Sequence, residues 1–243
     1  MTILAVDAGN SRIKWGLWDR GWLCQDSIAK SDARLLADAW QVLDRPGYVI
    51  ASNVAGADVS EWLNAWARSQ GLAVHWVISQ PEQCGVRNGY LEPAQLGSDR
   101  WAALVAARHL AGGSALAVNV GTAVTIDALT QEGEFLGGLI LPGLDLMAAA
   151  LARGTAALPL AVGMIAQFPR TTTDAIASGA LQSVCGAIER IERALAERGS
   201  KPQTLVSGGA AQVVISHLGL PARLVPNLVL EGLRVIAGEE SDG

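Results

Sequence analysis

The chain has 243 residues, half of them apolar, with 27 glycines and 9 prolines, which marks a turn-rich globular protein and excludes a disordered one. Eighteen Lys+Arg against 23 Asp+Glu leave a net charge of −5 and no basic run, which speaks against nucleic-acid binding. Cys24, Cys84 and Cys185 lie far apart, with neither metal-ligand spacing nor a disulfide framework, and fit a reducing cytoplasm.

The chain opens directly in a strand, without the charged and apolar regions of a signal peptide. Ile3 to Val6 is apolar, Asp7 ends the run, Ala8-Gly9-Asn10-Ser11 reads as a turn, and Ile13, Trp15 and Leu17 resume with period two, so a β-hairpin is expected. Trp22 to Ile28 supplies a third antiparallel strand. Ser31 opens a helix through Leu35, Leu36, Ala39, Trp40 and Leu43, stopped by Arg45-Pro46-Gly47. Tyr48 to Ala51 reads as a buried strand. Asp58-Val-Ser-Glu61 has the pattern of a capping box leading into a helix that Gly71 closes before a strand at 73–78.

The same order then recurs. Strands are expected at 115–120, 124–129 and 134–141, followed by a helix at about 144–152, a long amphipathic helix from Thr173 to Arg198, and a strand at 204–206 that enters Ser207-Gly208-Gly209. Residues 136–152 are too interrupted by Pro142 and Asp145 to span a membrane. Gly238 to Gly243 reads as a frayed tail. Two successive meander-then-helix units point to a duplicated α/β architecture of two lobes, 1–112 and 113–243, with mixed sheets flanked by helices and a cleft between lobes.

Three loops carry candidate chemistry. In the first, Gly9 and Asn10 are the residues best able to take positive φ and so to aim backbone N–H groups at an anion. Asp7 stands where a carboxylate would hold Mg²⁺ through water; Ser11 and Lys14 add a hydroxyl and a point charge. Together these suit the β- and γ-phosphates of a nucleotide, although an ordinary Asn-Gly hairpin with a chance Asp is the plainer reading of this loop alone. The second loop, Asn119-Val-Gly121-Thr122-Ala-Val-Thr125-Ile-Asp127, offers two hydroxyls and a carboxylate. The third, Ser207-Gly208-Gly209-Ala210, runs from a strand end into a helix and would suit adenosine or its phosphates, or be only a turn. Ser98 can cap the helix that carries Trp101, Leu104 and Val105, which puts Asp99 in the first turn, either as a dipole-favoured acid or as a general base, with Arg100 beside it to steady an anion.

In this order the loops resemble the phosphate and adenosine elements of the actin-like ATPase superfamily, whose fold is ribonuclease H-like and duplicated and which includes the acetate and sugar kinases. More specifically, the chain resembles the type III pantothenate kinase family. The resemblance is carried by Asp7-Ala-Gly-Asn-Ser-Arg-Ile-Lys14, Gly85-Val-Arg-Asn-Gly-Tyr90, Leu96-Gly-Ser-Asp-Arg-Trp101, Gly121-Thr-Ala-Val-Thr125, Gly137 to Gly143, Thr171 to Gly179 and Ser207-Gly-Gly209.

That resemblance implies ATP-dependent phosphorylation of pantothenate to 4'-phosphopantothenate, the first step of coenzyme A biosynthesis. It implies Asp99 as the base, ATP contacts from Asp7, Ala8, Gly9, Asn10, Ser11, Arg12, Ile13, Lys14 and Thr122, and pantothenate contacts from Tyr90, Gly97, Ser98, Asp99 and Arg100. It also implies a homodimer in which Thr172 reaches the partner's substrate. Members that need K⁺ or NH₄⁺ carry aspartate where Asn119 stands; a neutral amide brings no charge, so a weaker or absent cation site is expected. The alternatives are a kinase for another small hydroxylated substrate and a non-catalytic nucleotide-binding accessory protein of the same fold. His75, His109 and His217 have no partner spacing for a metal or a triad.

Overall fold

An apolar run followed by period-two patterning folds as three strands in the first 30 residues: β1 (Ile3–Ala8), buried at every position, β2 (Arg12–Trp18) and β3 (Trp22–Ala29). The computed structural model describes residues 1–41, 46–155, 163–199 and 201–242; Leu43 and Arg45, read as the end of the first helix, lie outside these. The chain divides into two compact units. Unit 1 comprises Met1–Leu110, Gly133–Phe135 and Asn227–Gly243, and unit 2 comprises Ala111–Glu132 and Leu136–Pro226.

In unit 1 the helix read from Ser31 is a 3-10 segment, Lys30–Leu35, continued by α1 (Leu36–Gln41). Then come β4 (Tyr48–Asn53), α2 (Ala57–Ser69) and β5 (Val74–Trp76), giving a sheet of order β3-β2-β1-β4-β5 with β1 antiparallel to β2 and parallel to β4. Leu4, Val6, Ile13, Trp15, Trp40 and Leu63 form its core, as the apolar periodicity required. The capping box at Asp58 does not form. Gly56, at φ 108°, precedes the helix, so Asp58 falls inside the first turn and no side chain caps it. Short strands β6 (Glu82–Gln83) and β7 (Val86–Asn88) lead to α3 (Ser98–Ala111), which is buried from Arg100 to Ala107.

Unit 2 repeats the plan with β8 (Ala115–Val120), β9 (Ala123–Leu129), β10 (Glu134–Pro142), α4 (Leu144–Gly154), α5 (Thr172–Ala196), β11 (Gln203–Ser207), α6 (Ala211–Ile215) and β12 (Ala222–Leu224). Its strands run β10-β9-β8-β11-β12, with β8 antiparallel to β9 and parallel to β11, which is the order and sense of the first sheet. Val118, Ile126, Leu181, Val184, Ile188 and Val206 fill the space between sheet and α5. The first two residues of β10, Glu134 and Phe135, belong to unit 1, where they pair in parallel with β7.

The last element is α7 (Leu228–Asp242), which counts with unit 1 although the boundary read at 112/113 put it with the later half. The tail expected to fray from Gly238 is helical through Asp242. Leu228, Leu230, Leu233, Ile236 and Ala237 are buried, and Gly232 lies so close to the backbone of Ala102 in α3 that a Cβ there would collide with it. Tertiary packing holds this helix. No described helix is long and apolar enough to cross a membrane.

Candidate active site

The sheet register builds the site in unit 1. Asp7 on β1 pairs with Lys14 on β2 and with Ser52 on β4, and Lys14 pairs with Ser27 on β3. Residues paired across a ladder point to one face, so four polar side chains form a transverse row at the end of the sheet. Asp7 is 6% exposed, and Lys14 Nζ lies 3.9 Å from its Oδ2. Burial pushes the Asp7 carboxyl up to about 6; Lys14 opposes that shift, and the nearby charge of Asp99 adds to it.

The loop between β1 and β2 is tight for a different reason from the one expected. Neither Gly9 nor Asn10 takes positive φ. Instead the Gly9 N–H donates to the Arg12 carbonyl at 3.1 Å, and a Cβ on Gly9 would sit 3.0 Å from that oxygen, so it is close approach that the glycine permits. Ala8 and Ile13 are buried in the core, whereas Asn10 and Ser11 are exposed. Arg12 turns onto β3, donating to Ser27 Oγ at 2.8 Å and to its carbonyl at 3.0 Å.

At the start of α3, Ser98 is the first helical residue rather than the cap. Its hydroxyl bonds Ser52 Oγ at 2.9 Å. Asp99 Oδ1 accepts the Arg100 N–H at 2.8 Å, and a Cβ on Gly97 would meet that same oxygen at 2.6 Å. Gly97 is therefore small because the Asp99 carboxylate folds back over it. Among the described residues Asp99 Oδ2 takes no hydrogen bond, which leaves an acceptor at the helix N-terminus.

Arg100 is 6% exposed; its Nη1 donates to Tyr90 Oη at 2.7 Å, and its guanidinium lies 5.6 Å from the Tyr90 ring and 5.9 Å from that of Phe135. A buried cation between two aromatic rings can hold a carboxylate bidentately. Tyr90, Gly97, Ser98, Asp99 and Arg100 thus share one corner of unit 1 with Asp7. Phe135, Ser52 and the Gln83 amide oxygen that accepts the Trp101 indole N–H at 2.9 Å were not singled out in the sequence. Ser52 had one legible signal, a polar residue closing a buried strand; Phe135 had none, since its neighbours come from a distant segment.

In unit 2, Asn119 on β8 stands between Thr125 on β9 and Ser207 on β11. Its Oδ1 is buried without a hydrogen-bond partner among the described residues. Asp127, read as a loop carboxylate, is 1% exposed and lies inside β9, away from the turn. Thr122 is exposed, and its carbonyl accepts the Gly143 N–H at 2.8 Å. Gly208, at φ 104°, packs against the backbone of Val120, so the third loop is folded onto the end of β8. Thr171, not Thr172, caps α5, accepting the Asp174 N–H at 3.1 Å; Thr172 is left exposed as the first helical residue.

Comparison with known proteins places the chain in a family. The family model described as type III pantothenate kinase matches residues 3–194. A type III pantothenate kinase of Nitrosospira multiformis is 47% identical over 242 residues, covering 99% of this chain and 92% of that one. Among solved structures, a Campylobacter jejuni protein described as a Baf family transcriptional activator superposes with a TM-score of 0.63 at 20% identity, covering 99% of this chain and all of the other. One from Sinorhizobium meliloti described as a 2-dehydro-3-deoxygalactonokinase gives 0.61 at 18%, covering 98% and 99%. These likenesses show the fold, that of the actin-like ATPases and sugar kinases. By the family match and the full-length identity, the chain belongs to the type III pantothenate kinase family.

Proposed function

We propose that the protein transfers the γ-phosphoryl group of ATP to the primary hydroxyl of pantothenate, giving 4'-phosphopantothenate, and that Asp99 is the base. One observation carries this reading: Asp99, a carboxylate with an unused oxygen at the mouth of a helix, lies near enough to the buried carboxylate of Asp7 for its charge to be felt there. Phosphoryl transfer asks little covalent chemistry of a protein; positioning and charge compensation supply most of the acceleration. Asp99 Oδ2 takes the hydroxyl proton as the nucleophile attacks, while its Oδ1 stays anchored on the Arg100 amide. Arg100, held by Tyr90, binds the pantothenate carboxylate. Gly9 to Lys14 and Thr122 serve the phosphates of ATP.

The residues fit Mg²⁺. No group of three or more metal-ligating side chains occurs among the described residues, as suits an ion held mostly by phosphates and water, and the buried Asp7 charge is only partly offset by Lys14. When bound with ATP, the ion neutralises charge on the phosphates. Asn119 offers only a neutral oxygen, so a K⁺ or NH₄⁺ site there is weak or absent. The enzyme works in the cytoplasm, as its widely spaced cysteines fit, and as a homodimer. Exposed apolar residues of unit 2, including Ile140 at 65%, Met164 at 80% and Phe168 at 82%, support the dimer.

The test is ADP release from protein mixed with ATP, Mg²⁺ and pantothenate, with and without K⁺ or NH₄⁺. Turnover should need pantothenate, vary little with the cation, and fall by about 10²- to 10⁴-fold in Asp99→Asn. Folded, ATP-binding protein without turnover under any cation would favour the accessory-protein reading instead.

A further inference from the structure

We propose that Ser52, at the end of β4, is a positioning residue that sets Asp99 for proton transfer. The inference rests on the reading of Asp99 as the base. Ser52 is completely buried, and in the β1–β4 ladder it stands directly beside Asp7. Its hydroxyl bonds Ser98 Oγ at 2.9 Å, and Ser98 is the residue before Asp99. Neither serine makes another side-chain hydrogen bond among the described residues, so each hydroxyl has the other as its one side-chain partner, one donating and one accepting.

The placement matters because this bond ties the first residue of α3 to β4, the strand that pairs with the one carrying Asp7. Gly97 is flexible and cannot anchor the turn through a side chain. Ser79 Oγ donates to the Leu96 carbonyl at 2.7 Å and the Gly97 carbonyl accepts the Trp101 N–H at 2.9 Å, so the chain is held on either side of Ser98 but neither bond reaches β4. The Ser52–Ser98 bond supplies that link and couples the placement of Asp99 to the β1–β4 register, in which Ser52 stands beside Asp7. Misplacing a base by about 1 Å can cost some 10²-fold in rate without altering how the nucleotide binds.

The experiment measures kcat, both KM values and Tm for Ser52→Ala, Ser98→Ala and the double variant, with Asp99→Asn alongside. Ser52→Ala should lower kcat roughly tenfold while KM for ATP stays within about twofold, the division expected when an interaction matters only in the transition state. The double variant should lose no more kcat than the worse single one, because both remove the same bond. Wild-type kcat in Ser52→Ala, additive losses in the double variant, or a fall in kcat matched by an equal rise in KM for ATP would each overturn the role. Should Ser52→Ala fold poorly, Ser98→Ala breaks the same bond from its less buried end and carries the test through a fall in kcat with KM for pantothenate unchanged, whereas a rise in that KM alone overturns the role. Retained turnover in Asp99→Asn removes Asp99 as the base and the positioning role with it; lost turnover there beside an unimpaired Ser52→Ala overturns the positioning role alone.

Discussion

At the level of single residues, Asp7 shows a conflict between stability and binding. Its carboxyl holds its proton more tightly in the folded protein than in the unfolded chain, because burial disfavours the charge and Asp99 adds to that. The stabilisation is therefore complete below the ordinary value near 3.8 and is lost as the pH rises through about 6. At pH 8 the ligand-free protein bears the full cost, on the order of 3 kcal/mol. Asp7→Asn should recover part of this, less what the unpaired Lys14 gives back, and the gain should fade as the pH falls below about 6 while turnover is lost. Calorimetric melting of both proteins between pH 5 and 8 decides it; a difference that does not change with pH would show that charge burial is not the cause. Asp7 and Asp99 were legible in the sequence because each closes a recognisable element, a strand or a glycine turn. The Ser52–Ser98 bond was not, since it joins elements 46 residues apart that only the sheet register brings together.

At the level of elements, strands were easier to read than helix boundaries. Period two marks β2 through Ile13, Trp15 and Leu17, while β1 and β8 are short continuous apolar runs bounded by turn residues, and both patterns are compact signals that locate a strand closely. Helix starts depend on which of several adjacent polar residues takes the cap. Thr171, Thr172 and Thr173 are equivalent in the sequence, and the choice falls to Thr171 because its hydroxyl reaches the Asp174 amide. The helix α7 escaped notice because Gly232 and Gly238 weaken its intrinsic propensity. Gly232 is there for packing: its Cα rests on the backbone of Ala102, four residues beyond Ser98. Gly232→Ala should raise propensity yet lower stability, by about 1–3 kcal/mol, since the added methyl must push α7 off α3. Thermal melting measures this, and a Tm equal to or above wild type would mean the two helices can separate without loss.

For the molecule as a whole, a duplicated architecture was foreseen from two meander-then-helix runs, and the structural neighbours and the two mixed sheets bear out the fold class. The division of the chain was harder to see, because three separate segments make up unit 1. The proposed dimer makes its own prediction. Light scattering should give twice the chain mass at micromolar concentration, and Thr172→Ala should weaken pantothenate binding about tenfold or more while ATP binding and mass are unchanged, if Thr172 serves the partner's site. A monomer with full activity would remove both. The segment order of unit 1 also bears on how the protein is made. Residues 1–110 leave the ribosome first, yet the helix that covers β1 and backs α3 follows roughly 120 residues later, a delay on the order of ten seconds at ordinary rates of synthesis. During that interval the nascent chain carries an uncovered apolar face beside Asp7 and Asp99. The part of the protein that is translated first is thus completed last, and the surroundings of Asp7 and Asp99 are finished only once the rest of the chain has been made.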